Sequence, residues 1–73
     1  MNPLHPKKLL LSKWTATQPV GKDRHFLVVE QVVPDDPARP VEAVELEALM
    51  SRQRRTIAWR ELRDLAHWRQ GWL

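Results

Sequence analysis

Arginines and tryptophans are the residues of this sequence whose types and spacing point most directly to chemistry. Arginine donates paired hydrogen bonds to phosphate or carboxylate groups, and a tryptophan beside an arginine can stack on a nucleobase or anchor a partner protein. Six arginines and three of the four tryptophans follow Met50 in the chain. We therefore predict a binding surface from these residues and two N-terminal lysines: Arg52, Arg54, Arg55, Arg69, Trp68, Trp72, Lys7 and Lys8.

The same residues also have a purely structural explanation. A short domain needs large apolar groups, so Trp14 and Trp59 are expected in the core. The arginines can be neutralised across a hairpin by Glu42, Glu45 and Glu47, in which case they form a solvated face. The sequence leaves both explanations open, because the choice depends on which strands are neighbours.

No catalytic or metal-ligating pattern accompanies these side chains. The chain has no cysteine, which excludes thiol nucleophiles, zinc–cysteine sites and disulfide bonds. Its histidines, His5, His25 and His67, lie in separate segments and lack the short spacing of a metal site. Gly21 and Lys22 lack the other residues of a phosphate loop, and there is no nucleophile elbow. We expect no enzyme activity, no metal and no cofactor.

The charges of the 73-residue chain are segregated along its length. Residues 1–22 carry four lysines and no acid, residues 23–49 carry seven acids and two arginines, and residues 50–73 carry six arginines and two acids. This layout is typical of pairing between neighbouring strands, or of a basic face for an anionic partner. The lack of cysteine favours a cytoplasmic protein. No apolar run is long enough for a membrane span, and we expect a monomer.

The N-terminal half predicts an arm and two strands. Residues 1–8 contain two prolines and little apolar material, so we expect an extended arm, with residues 9–73 as one small domain. Residues 9–17 predict a first strand, which ends before Pro19 and Gly21. Residues 25–33 include a contiguous apolar run and predict a second strand.

The segment 41–50 is compatible with two structures. Val44, Leu46 and Ala48 alternate with polar residues as in a strand, although the segment is also rich in helix-forming residues. We predict a strand here, then a turn at residues 51–53 and a fourth strand at residues 54–58.

The C-terminal segment has helical spacing. Trp59, Leu62 and Leu65 recur every three residues, and Gly71 lies where a helix cap is expected. The sequence therefore predicts an α+β fold, with a small twisted antiparallel sheet of about four strands and a short C-terminal helix. The predicted core is Leu11, Trp14, Phe26, Val28, Val44, Leu46, Ala48, Ile57, Trp59, Leu62 and Trp68.

Several stretches of the sequence carry a resemblance to a known family. They are KKLLLSKWTA at residues 7–16, HFLV at 25–28, VELEAL at 44–49, WRELRD at 59–64 and WRQGW at 68–72. Together they resemble a family of small tryptophan-rich bacterial proteins of unknown function, over nearly the whole chain. The loop at residues 34–40 departs from the family pattern because it is richer in proline. The resemblance implies a single domain and supplies no catalytic residue or ligand.

These observations favour a non-catalytic binding module. A protein partner is the first expectation, because exposed tryptophan and arginine commonly dominate protein interfaces. The alternative is weak, salt-dependent binding of RNA or single-stranded DNA through the arginines. The acidic middle of the chain and the lack of a recognised nucleic-acid motif count against the alternative.

Overall fold

Five strands form one antiparallel sheet. The computed structural model describes residues 8–19 and 21–73. The strands are β1 Lys13–Ala16, β2 His25–Val32, β3 Ala43–Ala48, β4 Arg54–Ala58 and β5 Trp68–Gln70. Their order across the sheet is β4-β3-β2-β1-β5, so β4 and β5 are its two edges. The arm predicted at residues 1–8 lies outside the described residues, apart from Lys8.

The ambiguous third segment is a strand, as predicted. Val44, Leu46 and Ala48 are buried, whereas the glutamates between them are only partly covered. One continuous apolar face against the core outweighs the helix propensity of single residues, because burial stabilises more than local preference does.

The predicted C-terminal helix is wrong, and so is the α+β class. Trp59–Arg63 forms one 3₁₀ turn, and no α-helix occurs in residues 8–19 or 21–73. Side chains three residues apart eclipse each other in a 3₁₀ turn, so Trp59 and Leu62 share the buried side that suggested a longer helix. Trp68 instead belongs to β5, where it pairs with Ala16 and covers the open edge of β1. The result is a five-stranded sheet.

The start of the first strand also differs from the prediction. A tight turn precedes β1, in which the backbone N–H of Ser12 donates to the carbonyl of Leu9 at 3.0 Å. Leu11 has a φ of 64° and its side chain is 64% exposed, whereas Leu9 is fully buried. The prediction of Leu11 as a core residue is therefore wrong, and Leu9 takes that place.

The core lies on one face of the sheet. The buried apolar residues are Leu9, Trp14, Ala16, Phe26, Val28, Val44, Leu46, Ala48, Trp59, Leu62 and Trp68, with Ile57 packed at the margin. The 3₁₀ turn contacts both β4 and β5. The sheet curls so that its edges approach each other, since Arg55 of β4 lies 5.4 Å from the ring centre of Trp68 in β5. The two edge strands are not paired with each other, so the sheet stays open beside the 3₁₀ turn.

Candidate binding site

Two of the predicted binding arginines are engaged in ion pairs at the β3–β4 hairpin. Glu47 accepts a hydrogen bond from Arg54 Nε at 2.9 Å and one from Arg52 Nη1 at 3.1 Å. Arg54 Nη1 also lies 3.9 Å from Glu45. The hydrogen bonds from Arg54 and Arg52 lower the pKa of Glu47. For these two arginines the neutralised hairpin is therefore the observed arrangement.

Arg55 has different surroundings, because it faces the other side of the sheet. It pairs with the buried Leu46, so its side chain lies on the core face. Its guanidinium carbon lies 5.1 Å from the ring centre of Phe26 and 5.4 Å from that of Trp68. The two rings meet edge to face at 5.4 Å. A guanidinium placed over aromatic faces is held by cation–π attraction and keeps its N–H groups for other partners.

No carboxylate among the described residues lies within ion-pair distance of Arg55. Arg55 is exposed, although Trp68 beneath it is only 5% exposed. Arg55 is therefore a cation on an aromatic base, without an ion-pair partner among the described residues.

A cleft opens beside Arg55, between the two edges of the sheet. We call it the edge cleft. Its volume is about 480 Å³, within the range of roughly 300–1,000 Å³ typical of ligand sites. It is lined by Ala16, Gln18, Arg55, Ile57, Glu61, Asp64, His67 and Trp68. A smaller cleft of about 240 Å³ adjoins it and shares Ala16, Gln18 and Arg55. Arg55 therefore lies at the junction of the two depressions.

The edge cleft is charged unequally at its two ends. Arg55 supplies the cation on the β4 side, and Glu61 and Asp64 supply carboxylates near the 3₁₀ turn. Asp64 contacts His67 Nδ1 at 2.7 Å and accepts the N–H of Ala66 at 2.9 Å. The bond with His67, and then that with Ala66, lower the pKa of Asp64. At the acidic end, the carboxylate of Asp64 is thus already bonded to residues of the same chain, in contrast to the guanidinium of Arg55.

The opposite face of the sheet carries the C-terminal residues. Thr15, which is 2% exposed, donates from Oγ1 to the carbonyl of Gly71 at 2.7 Å and accepts the N–H of Leu73 at 3.0 Å. The carbonyl of Leu73 also lies 2.9 Å from His25 Nε2. These contacts fix the last residues against β1 and β2.

Trp72 is fixed there with part of its ring exposed. Its indole N–H donates to the carbonyl of Phe26 at 3.0 Å, and Lys13 Nζ lies 4.7 Å from the ring centre. The residue is 42% exposed. Arg69, which is exposed, lies on β5 opposite Thr15. We call Lys13, Arg69, Trp72 and Leu73 the C-terminal surface.

The residues predicted to form one binding surface are thus divided among three places. Arg55 and Trp68 meet in the edge cleft, Arg69 and Trp72 lie on the C-terminal surface, and Arg52 and Arg54 pair with Glu47. Lys8 is exposed, and Lys7 lies outside the described residues. The two-residue period that points Ile57 inward also points Arg55 inward, so sequence reasoning could have separated Arg55 from Arg54.

Several other residues of these surfaces were not predicted from the sequence. These are Gln18, Glu61, Asp64 and His67 of the edge cleft, whose neighbours in the sequence form no recognisable pattern. Their positions depend on how β5 pairs with β1. No local pattern indicated that pairing.

The described part of the chain provides neither a metal-binding cluster nor a membrane-spanning helix. Within residues 8–19 and 21–73, no group of three histidines or acids is arranged to hold a metal ion. No helix in these residues is long and apolar enough to cross a membrane.

Comparison with known proteins agrees with the resemblance found in the sequence. A family model described as Tryptophan-rich protein (DUF2389) matches residues 12–73, a range that includes all five strands. No curated protein and no solved structure matches the chain at a significant level. The chain therefore belongs to the tryptophan-rich protein family DUF2389, a family of unknown function.

Proposed function

We propose that this protein is a non-catalytic module that binds a protein partner at the edge cleft, in the cytoplasm. The observation that carries the proposal is Arg55, an exposed cation stacked over Phe26 and Trp68 without a carboxylate partner among the described residues. Arginine on an aromatic base, beside a partly apolar depression, has the composition of an interface hot spot.

Photo-crosslinking from inside the cleft tests this proposal. Gln18 is exposed and lines both depressions, so a photoreactive amino acid at this position reports on whatever occupies them. We expect a discrete crosslinked protein in cells of the source organism, and its loss when Arg55→Gln is added.

The matched control for this experiment is Arg60→Gln. Arg60 is also exposed and lies near an aromatic ring, that of Trp59 at 5.9 Å, but it does not line the edge cleft. Crosslinking should survive this change. Adducts that are absent, or equally weakened by both substitutions, would rule out the edge cleft as a partner site.

A second candidate function, binding of single-stranded nucleic acid, is favoured by one observation on the C-terminal surface. Trp72 is partly exposed, with Lys13 over its ring and the exposed Arg69 on the neighbouring strand. Aromatic rings flanked by cations are the usual components of sequence-tolerant base stacking. The ion pairs of Arg52 and Arg54 with Glu47 weaken this candidate, because they remove two cations from the expected arginine surface.

An NMR titration distinguishes the second candidate from the first. Single-stranded RNA should shift the indole signal of Trp72 and the amides of Lys13 and Arg69, and the shifts should shrink between about 50 and 200 mM salt. Shifts at Arg55 without shifts at Trp72, or no shifts at either salt concentration, would eliminate nucleic-acid binding at the C-terminal surface.

A further inference from the structure

The hydrogen-bond pattern between β3 and β4 identifies which backbone groups face the open edge. At one end of this ladder, the N–H of Ala48 donates to the carbonyl of Gln53 at 2.9 Å. At the other end, the N–H of Trp59 donates to the carbonyl of Glu42 at 3.0 Å. In an antiparallel pair, hydrogen-bonded and non-hydrogen-bonded residue pairs alternate. Every second residue of β4 therefore bonds to β3 through its backbone. The backbone N–H and C=O groups of the intervening residues point away from β3, toward the free edge of the sheet.

Applied to β4, this alternation separates two sets of residues. Arg55 and Ile57 lie an even number of residues from Gln53 and Trp59, the two residues bonded to β3 at the ends of the ladder. Their N–H and C=O groups therefore point toward β3. Arg54 and Thr56 lie between these bonded residues, so their N–H and C=O groups point toward the free edge. No other strand among the described residues pairs with this edge. It can therefore accept a further strand through main-chain hydrogen bonds.

The side chains beside this edge specify the chemistry of such a strand. Arg55 and Ile57 both face the edge cleft, and residues two apart in a strand are separated by about 7 Å. An added strand would place one side chain beside each of them. The guanidinium of Arg55 favours a carboxylate, and Ile57 favours an apolar group. Glu61 and Asp64 repel a second acid at the far end of the cleft.

We propose that an extended segment of a partner protein adds to β4 as a sixth strand and presents an acidic side chain to Arg55 and an apolar side chain to Ile57. The segment thus carries an acid and an apolar residue separated by one position. A second copy of this chain fits poorly, because neither β4 nor β5 contains an acid to place beside Arg55. This inference rests on the proposed function, since it names the form in which the partner enters the edge cleft.

Selection from a random library of linear peptides, against the full chain, tests the side-chain part of the proposal. We expect the selected peptides to share an acid and an apolar residue with one residue between them. Selection against Arg55→Gln should lose the preference for the acid and keep the apolar residue. An unchanged acid preference in Arg55→Gln would overturn the assignment of the acid to Arg55.

Substitution of Thr56 tests the main-chain part. Thr56→Pro deletes an outward N–H and no bond to β3, a placement that edge strands tolerate. We expect this substitution to lower the affinity for the selected peptides at least about tenfold. Thr56→Val keeps the N–H and should bind as the unsubstituted protein does. Equal binding by Thr56→Pro would overturn strand addition.

Peptide methylation provides the same test without changing the protein. If Thr56→Pro unfolds, selected peptides methylated at alternate backbone nitrogens replace it. The alternate nitrogens form two sets, one that would bond to β4 and one that would point away from it. Strand addition requires methylation of the first set to abolish binding and methylation of the second set to leave binding unchanged. Equal tolerance of both phases would overturn the proposal.

The outcomes distinguish strand addition from the proposed function. Strand addition is overturned, and partner binding is not, if peptides bind the cleft with an affinity that neither Thr56→Pro nor methylation changes. Failure to select any cleft-binding peptide also overturns strand addition, and crosslinking from Gln18 then decides the proposed function separately. Self-association abolished by Thr56→Pro would replace the foreign segment by a second copy of the chain.

Discussion

At the scale of single residues, one buried hydroxyl holds the C-terminal residues in place. Thr15 is the buried polar residue of the described chain, and its Oγ1 both donates to the carbonyl of Gly71 and accepts the N–H of Leu73. A buried hydroxyl is tolerated when its hydrogen bonds are made. The position of Trp72 therefore depends on a residue far from it in sequence.

Replacing this hydroxyl by a methyl group should destabilise the protein. Thr15→Val keeps the volume and strand preference but removes the hydroxyl that bonds the carbonyl of Gly71 and the N–H of Leu73, so we expect a loss of about 1–3 kcal/mol in the free energy of unfolding. Urea unfolding measures it. Thr56→Val is the control, because Thr56 is exposed. Equal effects of the two substitutions would show that the contacts of Thr15 contribute nothing.

Glu47 gives the stability a dependence on pH. Its pKa is lowered from the ordinary value of 4.5, first by the hydrogen bond from Arg54 and then by that from Arg52. A carboxyl group with a lowered pKa in the folded state binds protons more readily when unfolded. Its contribution is therefore fully present above about pH 4.5 and is lost as the pH falls toward its folded pKa.

We expect the Glu47→Gln variant to lose less stability than the unsubstituted protein when the pH is lowered. Urea midpoints measured between about pH 7 and pH 3 should fall less steeply in this variant than in the unsubstituted protein. Asp64, whose pKa is lowered by His67 and Ala66, supplies part of the remaining slope in both proteins. Glu61→Gln removes an exposed carboxyl outside the Glu47 ion pairs and serves as the control. Identical slopes for Glu47→Gln and the unsubstituted protein would contradict this role.

At the scale of elements, the spacing of apolar residues led to one correct prediction and one wrong one. The alternation at Val44, Leu46 and Ala48 correctly predicted β3, because it continues over enough positions to define a face. The repeat of Trp59 and Leu62 predicted an α-helix, yet it is satisfied by one 3₁₀ turn. A three-residue interval is common to both helix types over so short a run, so the sequence could not distinguish them.

Packing of the 3₁₀ turn should contribute strongly to stability despite its length. Leu62 is fully buried, whereas Leu65, which follows the turn, is 43% exposed. Leu62→Ala should lower the free energy of unfolding by about 2–5 kcal/mol, because it leaves a cavity where the turn closes the core. The matched change Leu65→Ala should cost far less. Urea unfolding of both variants measures the difference, and similar losses would contradict the described packing.

At the scale of the whole molecule, the candidate binding surfaces follow from pairings that are distant in sequence. Arg55 and Trp68 were both predicted as binding residues, and they meet because β5 returns to pair with β1. The sequence analysis placed Arg55 and Trp68 on one surface with Arg52 and Arg54, whereas Arg54 lies on the other face of the sheet and Arg52 pairs with Glu47 beside it. Which residues share a face is predictable from a strand's period; which strands approach each other depends on the complete fold.

The open edge of β4 is the feature on which both the edge cleft and the proposed strand addition depend. Amide hydrogen exchange of the free protein, measured by NMR, tests it most directly. We expect the amides of Arg54 and Thr56 to exchange quickly, since they point away from β3, and those of Arg55 and Ile57 to be protected. Protection of Thr56 equal to that of Ile57 would show that the outer edge is already paired, which contradicts an accessible edge cleft.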